Sequence, residues 1–278
     1  MTTVAPRPTG DPRLVPRPRT RRGLAPGRTT ARGLLLGPAL LVLIWVLGSA
    51  TGLIDPATLS PPWTVVSTFG DLIADGRLQS NLLSSVQRAA LGLLLGIVAG
   101  LALALLAGLS RAGEAVVDGP VQIKRAVPTL ALIPLMIVWF GIGEEMKVVV
   151  IALSVFVPIY INTHAALRGV DARWVELAES VELSRTSFVR RVAVPGALPG
   201  FFTGLRLAVT IAWTALVVVE QVNATSGIGY LMTQARNYGQ TEIIVAGLVV
   251  YAVLGLAGDT TVRAIERRAL SWRRTLGS

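Results

Sequence analysis

The chain has 278 residues, of which 52% are hydrophobic and 15% are charged, and its 26 lysines and arginines against 16 acids give a net charge of +10. This apolar content excludes a disordered chain, and the absence of cysteine excludes disulfide scaffolds, thiolate metal sites and cysteine nucleophiles. A basic chain can bind nucleic acid or a membrane. The mean hydropathy of +0.62 favours the membrane.

Residues 1–32 form a basic, proline-rich segment that we interpret as a disordered cytoplasmic tail. The segment holds eight arginines, six prolines and a single acid, and proline blocks a regular helix. A nucleic-acid-binding arm is the alternative. Basic segments next to a membrane are attracted to anionic lipid, so we predict contact with membrane lipid and no nucleic-acid partner.

Six apolar stretches follow, which is typical of an all-α membrane protein with about six transmembrane helices of roughly 20 residues each. A cleaved signal peptide is the alternative for the first stretch, but the tail before it is long and more spans follow it. The third stretch is short and contains Pro128 and Pro134, so we expect it to begin before Pro128 or to be kinked. No stretch shows the alternation of a strand. The six stretches cover residues 34–54, 88–109, 127–142, 148–167, 201–219 and 243–262.

The positions of the cations predict the orientation of the chain. With six spans, 21 of the 26 cations lie on the side of the tail, the loops 110–126 and 168–200, and the C-terminus. Positively charged loops stay in the cytoplasm. We therefore predict a multi-pass plasma-membrane protein with both termini inside, a transmembrane domain over 33–268 and a cytoplasmic C-terminal tail over 269–278.

Two spans carry a small residue at every fourth position, which predicts close helix packing. Packing within one subunit is the simpler interpretation, and faces that move when a pathway opens are the alternative. The two stripes are Gly92, Gly96, Gly100, Ala104 and Gly108, and Gly196, Gly200, Gly204, Ala208 and Ala212.

Few ionisable residues lie in or near the spans, and those present fall near the predicted ends, where side chains pair or reach the interface. A carrier or pump driven by ions needs charged groups near mid-membrane, so this class is disfavoured. An enzyme is also disfavoured, because His164 is the only histidine and we interpret Glu144–Glu145 as a solvated pair. The near-span residues are Arg88, His164, Arg206, Glu220 and Asp259.

The loop 168–200 predicts a short amphipathic helix that begins after Asp171. Apolar residues follow one face and three glutamates another. Ser184 or Ser187 begins a second short helix, which we expect to stop at Pro195. An acidic amphipathic helix favours docking to a protein over binding to anionic lipid. The apolar face holds Trp174, Leu177, Ala178 and Val181, and the acidic face holds Glu176, Glu179 and Glu182.

This loop resembles the EAA loop of the import permeases of ATP-binding-cassette (ABC) transporters. Leu177 replaces the first alanine of that pattern, and Glu182 replaces its glycine. A glutamate at positive φ would cost about 1 kcal/mol, so either the turn is rebuilt around Ser184 or the first helix runs longer. The positions that match the pattern are Glu176, Ala178, Val192, Val194 and Pro195.

Further segments are similar to the permease branch for aliphatic sulfonates, taurine and nitrate, and the resemblance covers residues 34–274. It implies a type I importer fold, a second permease copy in a homodimer, a cytoplasmic ABC ATPase dimer on the loop, and an extracytoplasmic substrate-binding protein. The chain has no G-x-x-x-x-G-K-[ST] motif, so we expect ATP and magnesium on the ATPase, and no enzyme activity here. The similar segments are 130–135, 139–143, 158–163, 195–199 and 226–231 with Gln240-Thr241.

The segment 226–231 is most similar to the aliphatic-sulfonate member. A small organic anion is therefore the expected substrate, and nitrate, taurine and a small heterocyclic vitamin precursor stay open. Polar groups and helix N-termini could carry an anion in place of a fixed cation. We predict no metal site, and the pathway candidates are Asn162, Glu220, Gln221 and Asn223.

Overall fold

The computed structural model describes residues 31–272, so most of the predicted tail 1–32 and the last residues of the predicted tail 269–278 lie outside the described range. Within that range the chain is helical and contains no strand, which confirms the predicted fold class. The helices are α1 (Ala31–Ala50), α2 (Pro62–Ala74), α3 (Arg77–Leu109), α4 (Arg111–Ala126), α5 (Ile133–Phe140), α6 (Glu144–Arg168), α7 (Ala172–Ser180), α8 (Arg185–Phe188), α9 (Val194–Asn223), α10 (Ile228–Asn237) and α11 (Thr241–Ala269).

Four helical stretches are long and apolar enough to cross a membrane: α3, α6, α11 and the stretch Arg185–Val222. A fifth span is possible if α4 and the stretch Thr129–Phe140, which meet at 88°, form one broken span. The helix α1 contains a shorter apolar stretch, Leu36–Ala50. The helical path of the predicted third stretch is broken beside Pro128, as its prolines predict.

The prediction that residues 110–126 form a loop is wrong, because they form α4. Ser110 caps the helix by accepting a hydrogen bond from the amide of Gly113 at 3.3 Å. Val117 and Val121 are buried together with Ala104 of α3 and Tyr160 of α6. The apolar face of α4 thus packs on the bundle, and the segment is helical despite its polar residues.

The helix α6 lies at the centre of the bundle, between α3 and α9. Glycines of both small-residue stripes contact it. A Cβ atom added to Gly96 would lie 2.8 Å from the carbonyl oxygen of Ala152, and one added to Gly204 would lie 2.6 Å from that of Pro158. The stripes therefore pack within one subunit, and they let two backbones approach α6 closely.

The chain stays helical from Arg185 to Val222, so the prediction that a short helix stops at Pro195 is wrong. A π-helical turn over Val189–Ala193 joins α8 to α9. A proline ring would clash with the carbonyl of the residue four positions earlier, and for Pro195 that residue, Arg191, lies in the wider turn. The second short helix is therefore a direct extension of a membrane span.

Candidate functional site

The helix α7 stands on the surface of the chain. Asp171 caps it by accepting a hydrogen bond from the amide of Arg173 at 3.0 Å. The side chain of Arg173 bonds to the same carboxyl and lowers its pKa. Ala178 is buried, and every other residue of α7 is exposed.

Large apolar side chains are exposed on α7 and at Val181, the residue that follows it. Trp174, Leu177 and Val181 are each more than half exposed, and Glu176 is exposed beside them. We call these four residues the α7 surface. Exposed apolar patches of this kind, with charges beside them, mark sites that bind a partner.

The turn after α7 keeps its geometry even though a glutamate holds the glycine position. Glu182 has φ 53°, the one positive φ of a non-glycine residue in the described range. Its amide bonds to the carbonyl of Glu179 at 3.0 Å, and the amide of Leu183 bonds to that of Ala178 at 2.9 Å. These two bonds define a Schellman motif with Glu182 as its left-handed residue.

Neither of the two predicted adjustments therefore occurs at this turn. The helix α7 ends at Ser180, so it does not run longer. Ser184 caps α8 by accepting from the amide of Ser187 at 3.4 Å, but the left-handed turn before it is retained. The glutamate carries the strain of the left-handed conformation.

Contacts of the loop connect the α7 surface to three long helices. Arg185 donates a hydrogen bond to the carbonyl of Leu109, the last residue of α3, at 2.7 Å. Phe188 packs on a buried cluster that contains Leu167 of α6 and Ala197 of α9. The loop is therefore in direct contact with the ends of α3, α6 and α9.

The remaining residues that match the permease pattern lie where the loop enters the span. Val192 is part of the π-helical turn, and Val194 and Pro195 begin α9. Val194 is exposed, whereas Val192 and Pro195 are half-buried. The structure thus places the predicted loop residues on one continuous segment, from α7 to the first turn of α9.

A buried ionic cluster lies at the opposite end of α6 and was not predicted. Arg88 of α3 is 4% exposed and Glu220 of α9 is 1% exposed, and their side chains are 2.7 Å apart. Arg88 also pairs with Glu144 at the start of α6 and donates to the carbonyl of Ser226 at 2.6 Å. The cluster therefore joins α3, α6, α9 and the segment before α10.

Both carboxylate oxygens of Glu220 accept hydrogen bonds from groups within the chain. Besides Arg88, it accepts hydrogen bonds from Ser85 at 2.8 Å, the amide of Gly229 at 2.9 Å and the hydroxyl of Tyr251 at 3.0 Å. Gly227 has φ 112°, and a Cβ atom there would lie 2.3 Å from the Glu220 carboxylate. The segment Ser226-Gly227 thus packs directly against this carboxylate, and a side chain at position 227 would not fit.

The interpretation of Glu144–Glu145 as a solvated pair agrees with their exposure but does not include the ion pairs of Glu144. Glu144 is partly exposed, but it pairs with Arg88 and accepts from buried Lys147 at 2.8 Å. The turn before α6 brings it back over α3, which spacing along the sequence does not reveal. Glu145 is exposed, as expected.

Asn162 lies apart from the other pathway candidates, which are neighbours at the end of α9. Asn162 donates to the carbonyl of Pro158 at 2.9 Å and lies against Gly200 and Gly204 of α9. Glu220 is 16 residues further along the same helix than Gly204, or about 24 Å at 1.5 Å per residue. Gln221 is exposed, and the side chain of Asn223 lies outside the described residues.

The other ionisable residues near the spans have partners. Arg206 of α9 bonds to Glu266 at 2.6 Å and lies 3.7 Å from Asp259, both on α11. His164 stacks on Tyr160 with ring centroids 5.3 Å apart. Arg206 thus joins α9 to α11, whereas His164 and Tyr160 both belong to α6. The part of the chain that the structure describes holds no group of three potential metal ligands.

Comparisons with known proteins agree with this architecture. Residues 92–271 match the family described as the inner membrane component of binding-protein-dependent transport systems. The chain is 43% identical to an aliphatic sulfonates transport permease protein of Bacillus subtilis, with 86% of this chain and 87% of the relative covered. Identity to its Escherichia coli counterpart is 42%, over 84% of this chain and 89% of the relative. The taurine transport system permease protein of Escherichia coli is 32% identical, with 84% and 87% covered.

Solved structures show the same fold at low identity. An amino acid ABC transporter matches with a TM-score of 0.61 and 18% identity, over 72% of this chain and 97% of the other. The inward-facing MetNI methionine ABC transporter matches with a TM-score of 0.54 and 21% identity, over 68% and 95%. The fold, the family match and the identity to permeases all agree with the resemblance of the loop, and the chain belongs to the family of inner membrane permease components of binding-protein-dependent ABC importers.

Proposed function

We propose that this chain forms the translocation pathway of an ATP-driven importer for small organic anions, and that aliphatic sulfonates are its substrates. The support for the substrate is the 43% and 42% identity to permeases named for aliphatic sulfonates. The lower identity of 32% to a taurine permease makes taurine the second candidate. Nitrate and a small heterocyclic vitamin precursor are further alternatives.

The support for the proposed mechanism is the α7 surface. Its apolar side chains are more than half exposed, and its loop contacts the ends of α3, α6 and α9. A cytoplasmic ATPase dimer that binds ATP and magnesium docks there and moves the loop when it closes. The permease itself hydrolyses nothing and passes the motion to its spans.

The remaining partners follow from the importer class. An extracytoplasmic binding protein delivers the substrate, and a second copy of this chain completes the pathway as a homodimer. Both termini and the α7 surface lie in the cytoplasm, since the loop 168–200 and the C-terminal region are rich in arginine. An ion-coupled carrier is the competing class, and it would transport without any ATPase.

A charge reversal at Glu176 tests the proposal. The full importer is produced with Glu176→Lys, and both ATPase co-purification and ATP-dependent uptake of a labelled alkanesulfonate are measured. Both should fall at least tenfold, because the exposed acid lies within the docking surface. Glu145→Lys, which reverses an exposed acid at the other end of the bundle, should change neither. Uptake that persists with no bound ATPase would refute the importer mechanism.

A further inference from the structure

A cavity of about 390 Å³ opens at the break between α4 and the turn that begins at Thr129. Its walls come from that break and from the middles of α6 and α9. The volume is in the range of small-molecule sites. Lys124 and Arg125, from the last turn of α4, line it together with Thr129, Val157 and Ile211.

Lys124 is half-buried and lies much deeper than its position in a predicted loop suggests, whereas Arg125 is exposed at the cavity wall. The Lys124 ammonium is 5.6 Å from the centre of the Phe156 ring. Phe156 lies 12 residues from either end of α6, Glu144 and Arg168, which corresponds to about 18 Å in each direction. The ammonium therefore lies at the mid-height of the central helix.

Lys124 and Arg125 have no carboxylate partner among residues 31–272, in contrast to Arg88, Lys147 and Arg206, which each form an ion pair. Lys124 has one side-chain hydrogen bond, to the hydroxyl of Thr129, and an ammonium has three donors. A cation within a membrane span is costly unless it has a partner or faces water. The two cations are therefore available to an anion in the cavity.

The hydroxyls around the cavity differ in what they can donate. The hydroxyl of Ser154 donates to the carbonyl of Val150 at 2.8 Å, and that of Thr214 donates to Thr210 at 3.2 Å. Thr129 instead accepts from Lys124, so its own hydrogen can point into the cavity. Lys124, Arg125 and Thr129 thus supply donor groups to the lining of the cavity, and Val157 and Ile211 supply apolar side chains.

We propose that Lys124, Arg125 and Thr129 form an anion site midway along the transport pathway. The site binds the sulfonate group of an alkanesulfonate, and the alkyl chain lies against Val157 and Ile211. This inference rests on the proposed function and locates substrate recognition within the permease itself. The competing explanation is structural, because cations in the last turn also stabilise a helix C-terminus.

The test uses the importer of permease, ATPase and binding protein in proteoliposomes, with 1-butanesulfonate as the probe. Lys124→Gln should raise the KM for uptake about tenfold or more, since a hydrogen bond to a charged group is worth about a factor of ten to a hundred. Lys124→Arg keeps the charge and should stay within about threefold of wild type. Arg111→Gln removes a cation from the first turn of the same helix and should leave the KM unchanged.

A binding measurement separates recognition from a structural role. Calorimetry on the permease–ATPase complex compares 1-butanesulfonate with the uncharged 1-butanesulfonamide. Wild type should prefer the anion about tenfold or more, as expected of a charge-assisted bond, and Lys124→Gln should lose this preference. A helix-stabilising role would change stability and leave the ratio of the two affinities intact.

The outcomes separate this inference from the proposed function. An unchanged KM and an unchanged preference in Lys124→Gln would overturn the anion site while the importer and its substrate stand. Wild-type importer that couples to its ATPase but takes up no alkanesulfonate would overturn the sulfonate assignment itself. If Lys124→Gln does not assemble, Thr129→Val decides: a KM raised at least threefold supports the site, and an unchanged one overturns it.

Discussion

Arg88→Met removes the cation from the buried cluster and leaves Glu220 charged at 1% exposure. Breaking a buried ion pair by removing one partner costs about 3–5 kcal/mol. Glu220 keeps its bonds to Ser85, Gly229 and Tyr251, so we expect a loss near the lower end, about 3 kcal/mol. The converse change, Glu220→Leu, should cost a similar amount.

The double variant Arg88→Met/Glu220→Leu should be less destabilised than the two losses combined. Replacing a buried pair by apolar residues is often neutral or stabilising, but here the Ser85 hydroxyl, the Gly229 amide and the Tyr251 hydroxyl lose their acceptor. At about 1 kcal/mol or more for each orphaned group, the double variant should lose about 3 kcal/mol. The coupling energy between the two positions is then about 3 kcal/mol.

The assay is denaturant unfolding of the purified permease in micelles, followed by circular dichroism. Arg206→Met is the matched control, because its pair with Glu266 is partly exposed and should be worth at most about 1 kcal/mol. Losses that add within about 0.5 kcal/mol would show that the two residues act independently. That result would refute the assignment of the cluster as one network joining α3, α6 and α9.

Two smaller changes test the local geometry. Glu182→Gly should raise the free energy of unfolding by about 0.5–1 kcal/mol, because removing the left-handed strain outweighs the entropy that glycine loses on folding. Glu179→Gly, inside α7, should instead lower the free energy of unfolding by about 1 kcal/mol. Thermal unfolding of the permease–ATPase complex measures both, and equal shifts for the two variants would contradict the assigned turn. Gly96→Ala should lower the stability of the permease by about 1–3 kcal/mol, since its Cβ would press on the Ala152 carbonyl. Gly255→Ala is the control, because that position faces open space, and it should be neutral or stabilising. A tolerated Gly96→Ala would show that α3 and α6 separate easily.

The fold class could be predicted because it depends on local composition. Long uncharged stretches must satisfy their backbone within the membrane, and a helix does so from one segment alone. The small-residue stripes likewise predicted close packing, and the structure places both against α6. The loop motif predicted the family from residues 176–195, since the spacing of its residues within one segment is visible in the sequence.

The coupling turn was predicted only in part. The sequence shows that a glutamate replaces the glycine, but whether the turn changes depends on what surrounds it. Arg185 and Phe188 anchor α8 to the ends of α3, α6 and α9, so the chain must reverse at Glu182. The anchoring contacts outweigh a local strain of about 1 kcal/mol.

By itself the sequence determined that this chain is a helical membrane protein, that its net charge of +10 is unevenly placed, and that one loop follows a permease pattern. Only the tertiary structure decided which charges meet. Arg88 and Glu220 are 132 positions apart and form one buried pair. Lys124 and Arg125, counted with the loop cations, lie instead beside the middle of α6. Hydropathy and spacing describe one helix at a time, whereas the partner and depth of a charge are set by how several helices pack around it.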